Sequence, residues 1–232
     1  MRIRFAGNFP AVCGEKMWPI AYAAPQQFAQ RAVAGMWQHV GGHLSGHVRE
    51  GSVPANLQPA FQMDSASLAE TIRDINKYSN NVMAQHVFLT LSQQQRGVGS
   101  FDASREVMQR WWRERVGGDV PTFDNGSGLS RDERISAQAL ARLLQVAWAS
   151  PTMSELMSSL PVTGLDGTMK RSKAQASAHL KTGSLRDVAG VAGFVDTASG
   201  QRLVVVAVLH HANANAARPA LDAMIDWAGK QP

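Results

Sequence analysis

The hydrophobic pattern changes its period in the last third of the chain, and this change limits the folds that the chain can adopt. Residues 188–196 and 203–210 are rich in β-forming residues, and the sequence between them, Thr197-Ala198-Ser199-Gly200, suits a hairpin turn. A shorter run over 179–183 also has strand character, and a helical pattern over 221–227 follows the hairpin. The pattern therefore predicts an antiparallel sheet followed by a terminal helix.

The preceding two thirds have the three- and four-residue spacing of amphipathic helices. Helices are predicted over 25–40, from 67 to about 76, along 82–91, from about 104 to 117, over 136–148 and over 153–159, with one short strand near 43–49. Ser67 and Glu70 have the spacing of a capping box at the start of the second helix. Helices followed by a hairpin predict an α+β fold, and we expect one domain, or part of one, over residues 1–232.

Composition and charge argue against several classes of protein. The chain has 23 basic and 18 acidic residues, but the basic residues are scattered, so we do not expect nucleic-acid binding. No apolar run approaches the roughly 18–20 residues of a membrane span. Cys13 is the only cysteine, and no histidines have ligand spacing, so we expect no disulfide and no metal. Met1 to Phe5 are not followed by the apolar stretch of a signal peptide, so we expect a cytoplasmic protein or a chain without its natural N-terminus.

Two short motifs contain the residue types that serine acyl-transfer enzymes use. Ser79-Asn80-Asn81 lies at a predicted break between two helices, and Lys181-Thr182-Gly183 lies on a predicted strand. Taken singly, the first is better explained as a helix-capping turn and the second as an exposed strand end. Their order along the chain and the sequences that surround them favour a functional interpretation.

Four sequence blocks occur in the order found in one enzyme family. They are Ile75 to Asn81, Asp124 to Ser130, Leu160 to Met169 and Lys181 to Leu185. These blocks resemble the class C low-molecular-mass penicillin-binding proteins, the D-Ala-D-Ala carboxypeptidase/endopeptidase family, and the likeness runs from about residue 35 to the end. The resemblance implies the C-terminal portion of a penicillin-binding/β-lactamase-like transpeptidase domain, with helices flanking an antiparallel sheet. It also implies serine-type hydrolysis in peptidoglycan remodelling, without a cofactor.

The resemblance assigns catalytic roles to three residues. Ser79 would relay a proton toward the leaving amine, and Asn81 would hold the peptide group of the substrate. Lys181 would place a positive charge near Ser79 and near the terminal carboxylate of the substrate. We expect the Ser79 hydroxyl and the Lys181 ammonium to lie about 2.6–3.2 Å apart, with an apolar groove beside Ser79.

Three further residues would bind the substrate in the same interpretation. The hydroxyls of Thr182 and Ser184 would bond the terminal carboxylate, and Gly183 would let the substrate lie against the strand as an added β-strand. The Ser184 N–H would provide half of an oxyanion hole. Asp166 is predicted to tie a turn to the strand that bears Lys181.

The sequence departs from the family at the nucleophile. No lysine has a serine or threonine three positions before it, so the Ser-x-x-Lys motif is absent, and Cys13-Gly14-Glu15-Lys16 is the nearest approach. We expect the chain to begin about where the inserted domain of the family ends. It would then lack the nucleophile, its general base and half of the oxyanion hole, and it would be inactive alone.

Two alternatives stay open for the chain as a whole. It is either a non-catalytic module that binds D-Ala-D-Ala peptides or a protein, or a fragment that a separate N-terminal half completes. The partners implied by the resemblance are a stem peptide ending in D-Ala-D-Ala and, for a complete enzyme, β-lactams. A missing N-terminal half or a second chain would cover the groove for the nucleophile helix, and the family location is the periplasm.

Overall fold

The computed structural model describes residues 3–18 and 20–232, and the contacts divide the chain into two units. The first unit, up to residue 63, contains one α-helix, α1 (Phe28–His39), which follows a 3-10 turn at Pro25–Gln27. None of its described residues is buried, and apolar side chains such as Met36 remain exposed. The strand predicted near 43–49 is wrong: the described part of this unit contains no strand with which it could pair.

The second unit, from residue 64 onward, contains six helices among its described residues. They are α2 (Leu68–Tyr78), α3 (Asn81–Arg96), α4 (Phe101–Arg115), α5 (Ala137–Trp148), α6 (Met153–Ser159) and α7 (Arg218–Gly229). The predicted capping box is present, because the Ser67 hydroxyl accepts the Glu70 N–H and the Glu70 carboxylate accepts the Ser67 N–H. Helix α4 begins three residues earlier than predicted, because Ser100 rather than Ser104 caps it.

The sheet has three antiparallel strands, β1 (Ala178–Leu185), β2 (Val188–Asp196) and β3 (Arg202–His210), in the order β1-β2-β3. The register pairs Lys181 with Ala192 and Phe194 with Val204. The predicted strands and hairpin are therefore confirmed. Strand β1 is an edge strand of this sheet, and only a short bridge between Val162 and His179 lies on its outer side.

The sheet has a core on each face, because successive side chains of a strand point to opposite sides. Leu180 and Val195 pack on one face against Ile225 of α7. On the other face, Phe194 packs against α5 and α6 through residues that include Leu144. Helices on both faces of an antiparallel sheet confirm the predicted α+β class, and the first half of β1 is held by the buried residues Ala178 and Leu180.

No helix in the described part of the chain is long and apolar enough to cross a membrane. The interpretation of residues 1–232 as a single partial domain stays a prediction.

Candidate active site

Ser79 occupies the break between α2 and α3, where the sequence predicted a turn. It is the C-cap of α2, with φ 55° and ψ 50°, and is the only non-glycine residue with positive φ in the described part of the chain. The left-handed conformation costs a non-glycine residue about 1–2 kcal/mol. Asn80 then caps α3, since its side-chain oxygen accepts the Met83 N–H at 3.1 Å.

Lys181 meets Ser79 although the two residues are 102 positions apart. Its ammonium donates to the Ser79 hydroxyl oxygen at 3.0 Å and to the Thr182 carbonyl at 2.9 Å. The first distance lies within the range expected from the sequence. Burial lowers the pKa of the Lys181 ammonium, because a partly desolvated cation is less stable than a hydrated one. The two motifs therefore share one site.

A set of polar contacts fixes the end of α2 against the segment that leads to β1. The Lys77 ammonium donates to the Leu160 carbonyl at 2.7 Å and to the Asp166 carboxylate at 2.5 Å. The Asn76 amide donates to the Ser159 hydroxyl at 2.8 Å. We call these contacts the α2 latch. They hold the turn that carries Ser79 in register with the strand that carries Lys181.

The segment at Gly167 comes close to the backbone of α2. Gly167 has φ +51°, and a Cβ there would lie 2.4 Å from the Lys77 carbonyl oxygen, so a side chain cannot be accommodated without a shift. Asp166 accepts the Val162 N–H at 2.8 Å, and Val162 bridges to His179 of β1. Asp166 therefore ties the turn to the strand, as predicted, and its bond to Lys77 additionally ties the turn to α2.

The charge on Asp166 is favoured by this arrangement. Burial alone would raise the pKa of its carboxyl group, but the hydrogen bond and charge of Lys77 and the Val162 N–H outweigh burial. The pKa of Asp166 is consequently lowered. The arrangement thus favours the carboxylate form of Asp166.

Asn81 begins α3 and contacts the glycine-rich loop. Its side-chain NH2 donates to the Ser127 carbonyl at 2.7 Å. The loop has its own internal contact, from the Ser127 N–H to the Asn125 side-chain oxygen at 3.0 Å. Asn81 therefore positions the loop 124–130 beside the start of α3, and its predicted role in holding the substrate stays a prediction.

The outer edge of β1 presents backbone groups away from β2. The Leu180 N–H donates to the Pro161 carbonyl at 2.8 Å on this side, which fixes the direction of the alternating groups. Because N–H groups two residues apart on a strand point the same way, those of Thr182 and Ser184 also face outward. A Cβ added at Gly183 would meet no atom within 4 Å. The strand thus has an edge that an extended peptide can approach.

The side chains of Thr182 and Ser184 point to the face of β1 opposite Lys181. The Thr182 hydroxyl donates to the Thr168 hydroxyl at 2.8 Å. The Ser184 hydroxyl accepts from the Arg218 guanidinium at 2.8 Å and donates to the Asn215 side-chain oxygen at 3.3 Å. The two hydroxyls assigned to substrate are therefore next to α7, whereas the Lys181 ammonium is next to Ser79.

An apolar groove of about 400 Å³ lies beside Lys181. Its lining includes Leu140, Leu144, Leu156, Leu160 and Val208. Asn76 and Lys181 are its polar members next to Ser79. The sequence predicted an apolar groove in this position, and the structure contains one.

Comparison with known proteins identifies the family. The chain matches the D-Ala-D-Ala carboxypeptidase 3 (S13) family over residues 1–231. The chain belongs to this family. The resemblance inferred from the four sequence blocks is therefore confirmed, and the penicillin-binding group to which those blocks pointed is the right one.

Individual relatives agree with this assignment. The chain is 29% identical over 172 residues to a D-alanyl-D-alanine carboxypeptidase of an Actinomadura species, which covers 68% of the chain and 32% of the relative. It is 25% identical over 190 residues to D-alanyl-D-alanine carboxypeptidase DacB of Haemophilus influenzae, covering 77% and 39% respectively. The chain thus spans about a third to two fifths of the length of these relatives.

Solved structures of similar fold come from the same group. Penicillin binding protein 4 of Haemophilus influenzae, in complex with a β-lactam, superposes with a TM-score of 0.74 and 20% identity, over 91% of this chain and 53% of that one. A predatory endopeptidase of Bdellovibrio bacteriovorus, in complex with an immunity protein, superposes with a TM-score of 0.60 and 17% identity, over 92% and 63%. These similarities confirm the predicted penicillin-binding fold.

Sequence reasoning did not find every residue that shapes the site. Lys77 lies inside the block Ile75 to Asn81, but its partner Asp166 is 89 positions away, and no local pattern links them. Arg218 was not singled out either, because it lies in an ordinary helix start beyond the last motif. For Lys77 the only signal was its place inside a recognised block, and for Arg218 the sequence contained no signal.

Proposed function

We propose that this chain forms the Ser-x-Asn and Lys-Thr-Gly side of a serine-type D-Ala-D-Ala carboxypeptidase/endopeptidase site that acts in peptidoglycan remodelling. The observation that carries the proposal is the contact of 3.0 Å between the Lys181 ammonium and the Ser79 hydroxyl oxygen. Nothing in the local sequence obliges residues so far apart to meet. Membership of the S13 family supports the same reaction class.

The direction of the hydrogen bond supports a proton-relay role for Ser79. An ammonium can only donate, so the Ser79 oxygen accepts from Lys181 and keeps its own proton for another acceptor. In acyl transfer that acceptor is the leaving amine, which must gain a proton as its bond to the acyl carbon breaks. Ser79 then regains a proton from the attacking group. Lys181 holds the hydroxyl in this orientation.

The outer edge of β1 supports binding of an extended peptide. The outward N–H groups of Thr182 and Ser184 offer donors for a strand added at this edge. Gly183 leaves the space above the strand open. The Ser184 N–H then takes the place of one oxyanion-hole donor, and Asn81 contributes an amide to the peptide group of the substrate.

The nucleophile has to come from outside these 232 residues. The chain contains no Ser-x-x-Lys sequence, and acyl-enzyme formation needs an activated nucleophile. We propose that the apolar groove beside Lys181 receives a helix that carries this motif, from a longer form of the polypeptide or from a second chain. The apolar lining supports this occupant, because such a helix buries its apolar face against the sheet. The periplasm is the proposed location, by the nature of the substrate.

The first test is covalent labelling by a β-lactam. The isolated 232-residue chain, incubated with benzylpenicillin, should show no mass increase by intact mass spectrometry, because no activated serine is present. A stoichiometric adduct on any serine would show that the chain contains its own nucleophile. The control is a complete S13 enzyme, which should be labelled under the same conditions.

The second test is binding of a diacetyl-Lys-D-Ala-D-Ala peptide by calorimetry. The change Lys181→Ala should weaken binding by about 1.5–3 kcal/mol, because it removes the charged group that orients Ser79 and the Thr182 carbonyl. Lys170→Ala, at an exposed position, is the matched control and should bind like the wild type. Equal affinity in the Lys181 and Lys170 variants would mean that the peptide binds elsewhere.

A further inference from the structure

The two cations nearest the proposed substrate strand lie on opposite faces of β1. Lys181 is directed to the face of Ser79, and its ammonium already donates to Ser79 and to the Thr182 carbonyl. The hydroxyls of Thr182 and Ser184 are on the other face, because adjacent side chains of a strand alternate. A carboxylate bound by those hydroxyls would therefore pair with a positive charge other than that of Lys181.

Arg218 is the cation on the hydroxyl face. Its guanidinium donates to the Ser184 hydroxyl at 2.8 Å and to the Asn215 side-chain oxygen at 3.3 Å. Asn215 also donates to the Leu185 carbonyl at 3.0 Å, so the guanidinium is aligned by a residue that is itself tied to the end of β1. A guanidinium has five N–H donors, and these two contacts leave donors for a ligand.

The surroundings of Arg218 form a cationic cavity. A cavity of about 330 Å³ is lined by Thr168, Thr182, Gly183, Arg171, Lys173 and Arg218, among others. Asp222 is the acidic residue of the lining, and its carboxylate accepts from the Ser172 hydroxyl at 2.7 Å and the Lys173 N–H at 3.2 Å. The cavity thus combines three positive side chains with the hydroxyls of Thr168, Ser172 and Thr182, a combination that suits an anion.

We propose that Arg218, rather than Lys181, pairs with the terminal carboxylate of the bound peptide. This inference rests on the proposed function, since it places the C-terminal end of the same ligand. The carboxylate lies between the hydroxyls of Thr182 and Ser184 and accepts hydrogen bonds from the Arg218 guanidinium. Lys181 donates its hydrogen bond to Ser79 instead. Arg218 then determines specificity: the site prefers a peptide with a free C-terminal carboxylate over one whose end is blocked.

The experiment compares a diacetyl-Lys-D-Ala-D-Ala peptide with its C-terminal amide. We expect the wild type to bind the acid about five- to tenfold more tightly, because a charge-assisted pair at a half-exposed site is favourable but screened. Arg218→Gln should lose this preference and keep the affinity for the amide. Arg218 is exposed, so the substitution should not affect folding. Lys181→Gln should weaken binding of both ligands and keep the preference.

Arg171→Gln is the matched control, because it removes the same charge from the same cavity. It should lower the preference less than twofold. A preference that survives in Arg218→Gln, or that Arg171→Gln removes equally, would overturn the pairing. The first outcome would indicate that Lys181 pairs with the carboxylate. The second would indicate that the combined positive charge of the cavity, and not a direct contact with Arg218, attracts the carboxylate.

A carboxylate titration separates this inference from the proposed function. If the wild type binds neither peptide, the proposed function fails, and acetate is then titrated with chloride-matched controls while the backbone amide signals of Thr182 and Ser184 are followed by NMR. Shifts in the wild type that disappear in Arg218→Gln support an anion site built on Arg218. Shifts that are absent, or that persist in the variant, overturn it.

Discussion

The two sides of the site are held in different ways. Strand β1, which carries Lys181, is fixed by apolar burial on one face and by pairing with β2. The turn at Ser79 is a left-handed residue between two helices, and it is held mainly by the polar α2 latch. Apolar burial is non-directional and tolerant, whereas an ion pair must be aligned. The strand side should therefore dominate stability, and the turn side should depend on a few polar groups and on pH.

The largest effect should come from the core of the strand side. Leu180→Ala removes a side chain that is 0% exposed, between β1 and α7, and should lower the free energy of unfolding by about 2–5 kcal/mol. The measurement is urea denaturation followed by circular dichroism. Leu165→Ala, at a leucine that is 68% exposed, is the matched control and should change stability by less than about 0.5 kcal/mol. Similar losses in both variants would contradict the assignment of the core.

An intermediate effect should come from the turn side. Asp166→Ala leaves the Lys77 ammonium, whose side chain is only 12% exposed, without its carboxylate and should cost about 1–3 kcal/mol. The value should lie toward the low end, because the Asp166 side chain is 39% exposed and solvent screens the pair. Asp187→Ala, which breaks the more exposed ion pair with Arg131, is the control and should cost less than Asp166→Ala, because solvent screens that pair more strongly.

The pH dependence of this effect tests its cause. The pKa of Asp166 in the folded chain is below its ordinary value of 3.8, so the carboxylate contributes stability that is fully present above that value. This contribution is lost as the pH falls through the lowered pKa. The difference between the wild type and Asp166→Ala should therefore be constant from neutral pH to about 5 and should shrink below 4. A difference that persists unchanged at pH 2 would point to packing rather than charge.

The sequence predicted the strand side better than the turn side, for a physical reason. The strands of the hairpin and the turn between them have local sequence patterns, so the sequence alone predicts them. The contact between Lys77 and Asp166 spans 89 positions, and a polar pair has no periodic signature. The meeting of Ser79 with Lys181 was predicted only because a family resemblance supplied it. Strand alternation predicts that Lys181 and Ser184 point to opposite faces of β1. Its consequence for substrate binding could be inferred only once the structure placed Arg218 beside Ser184.

The unit up to residue 63 shows what an amphipathic pattern does not predict. Its amphipathic helix α1 was predicted from residue spacing, and the helix is present. None of the residues described in this unit is buried, so the pattern predicted the helix correctly without predicting a core. Amphipathic spacing reports which face can be buried, and burial itself depends on a partner surface.

The smallest effect on stability should come from Lys181 itself. Lys181→Met replaces a half-buried cation by an apolar side chain of similar length. It relieves the desolvation that lowers the pKa of Lys181, and it loses the donors to Ser79 and to the Thr182 carbonyl. These contributions oppose each other, so stability at pH 7 should change by less than about 0.5 kcal/mol, while binding of the D-Ala-D-Ala peptide is weakened. Lys170→Met is the matched control for the loss of charge.

The difference in stability between the wild type and Lys181→Met should change with pH in a definite direction. Because the pKa of Lys181 is below its ordinary value of 10.5 when the chain is folded, the folded state releases a proton at a lower pH than the unfolded state. Wild-type stability should therefore rise relative to Lys181→Met as the pH increases from the lowered pKa toward 10.5, and Lys170→Met should show no such trend. The measurement is urea denaturation of the three proteins between pH 7 and 10.5. A relative fall of the wild type over this range would mean that the folded site favours the ammonium, as a nearby carboxylate would, and the Lys181 side would then depend on ion pairing in the same way as the Ser79 side.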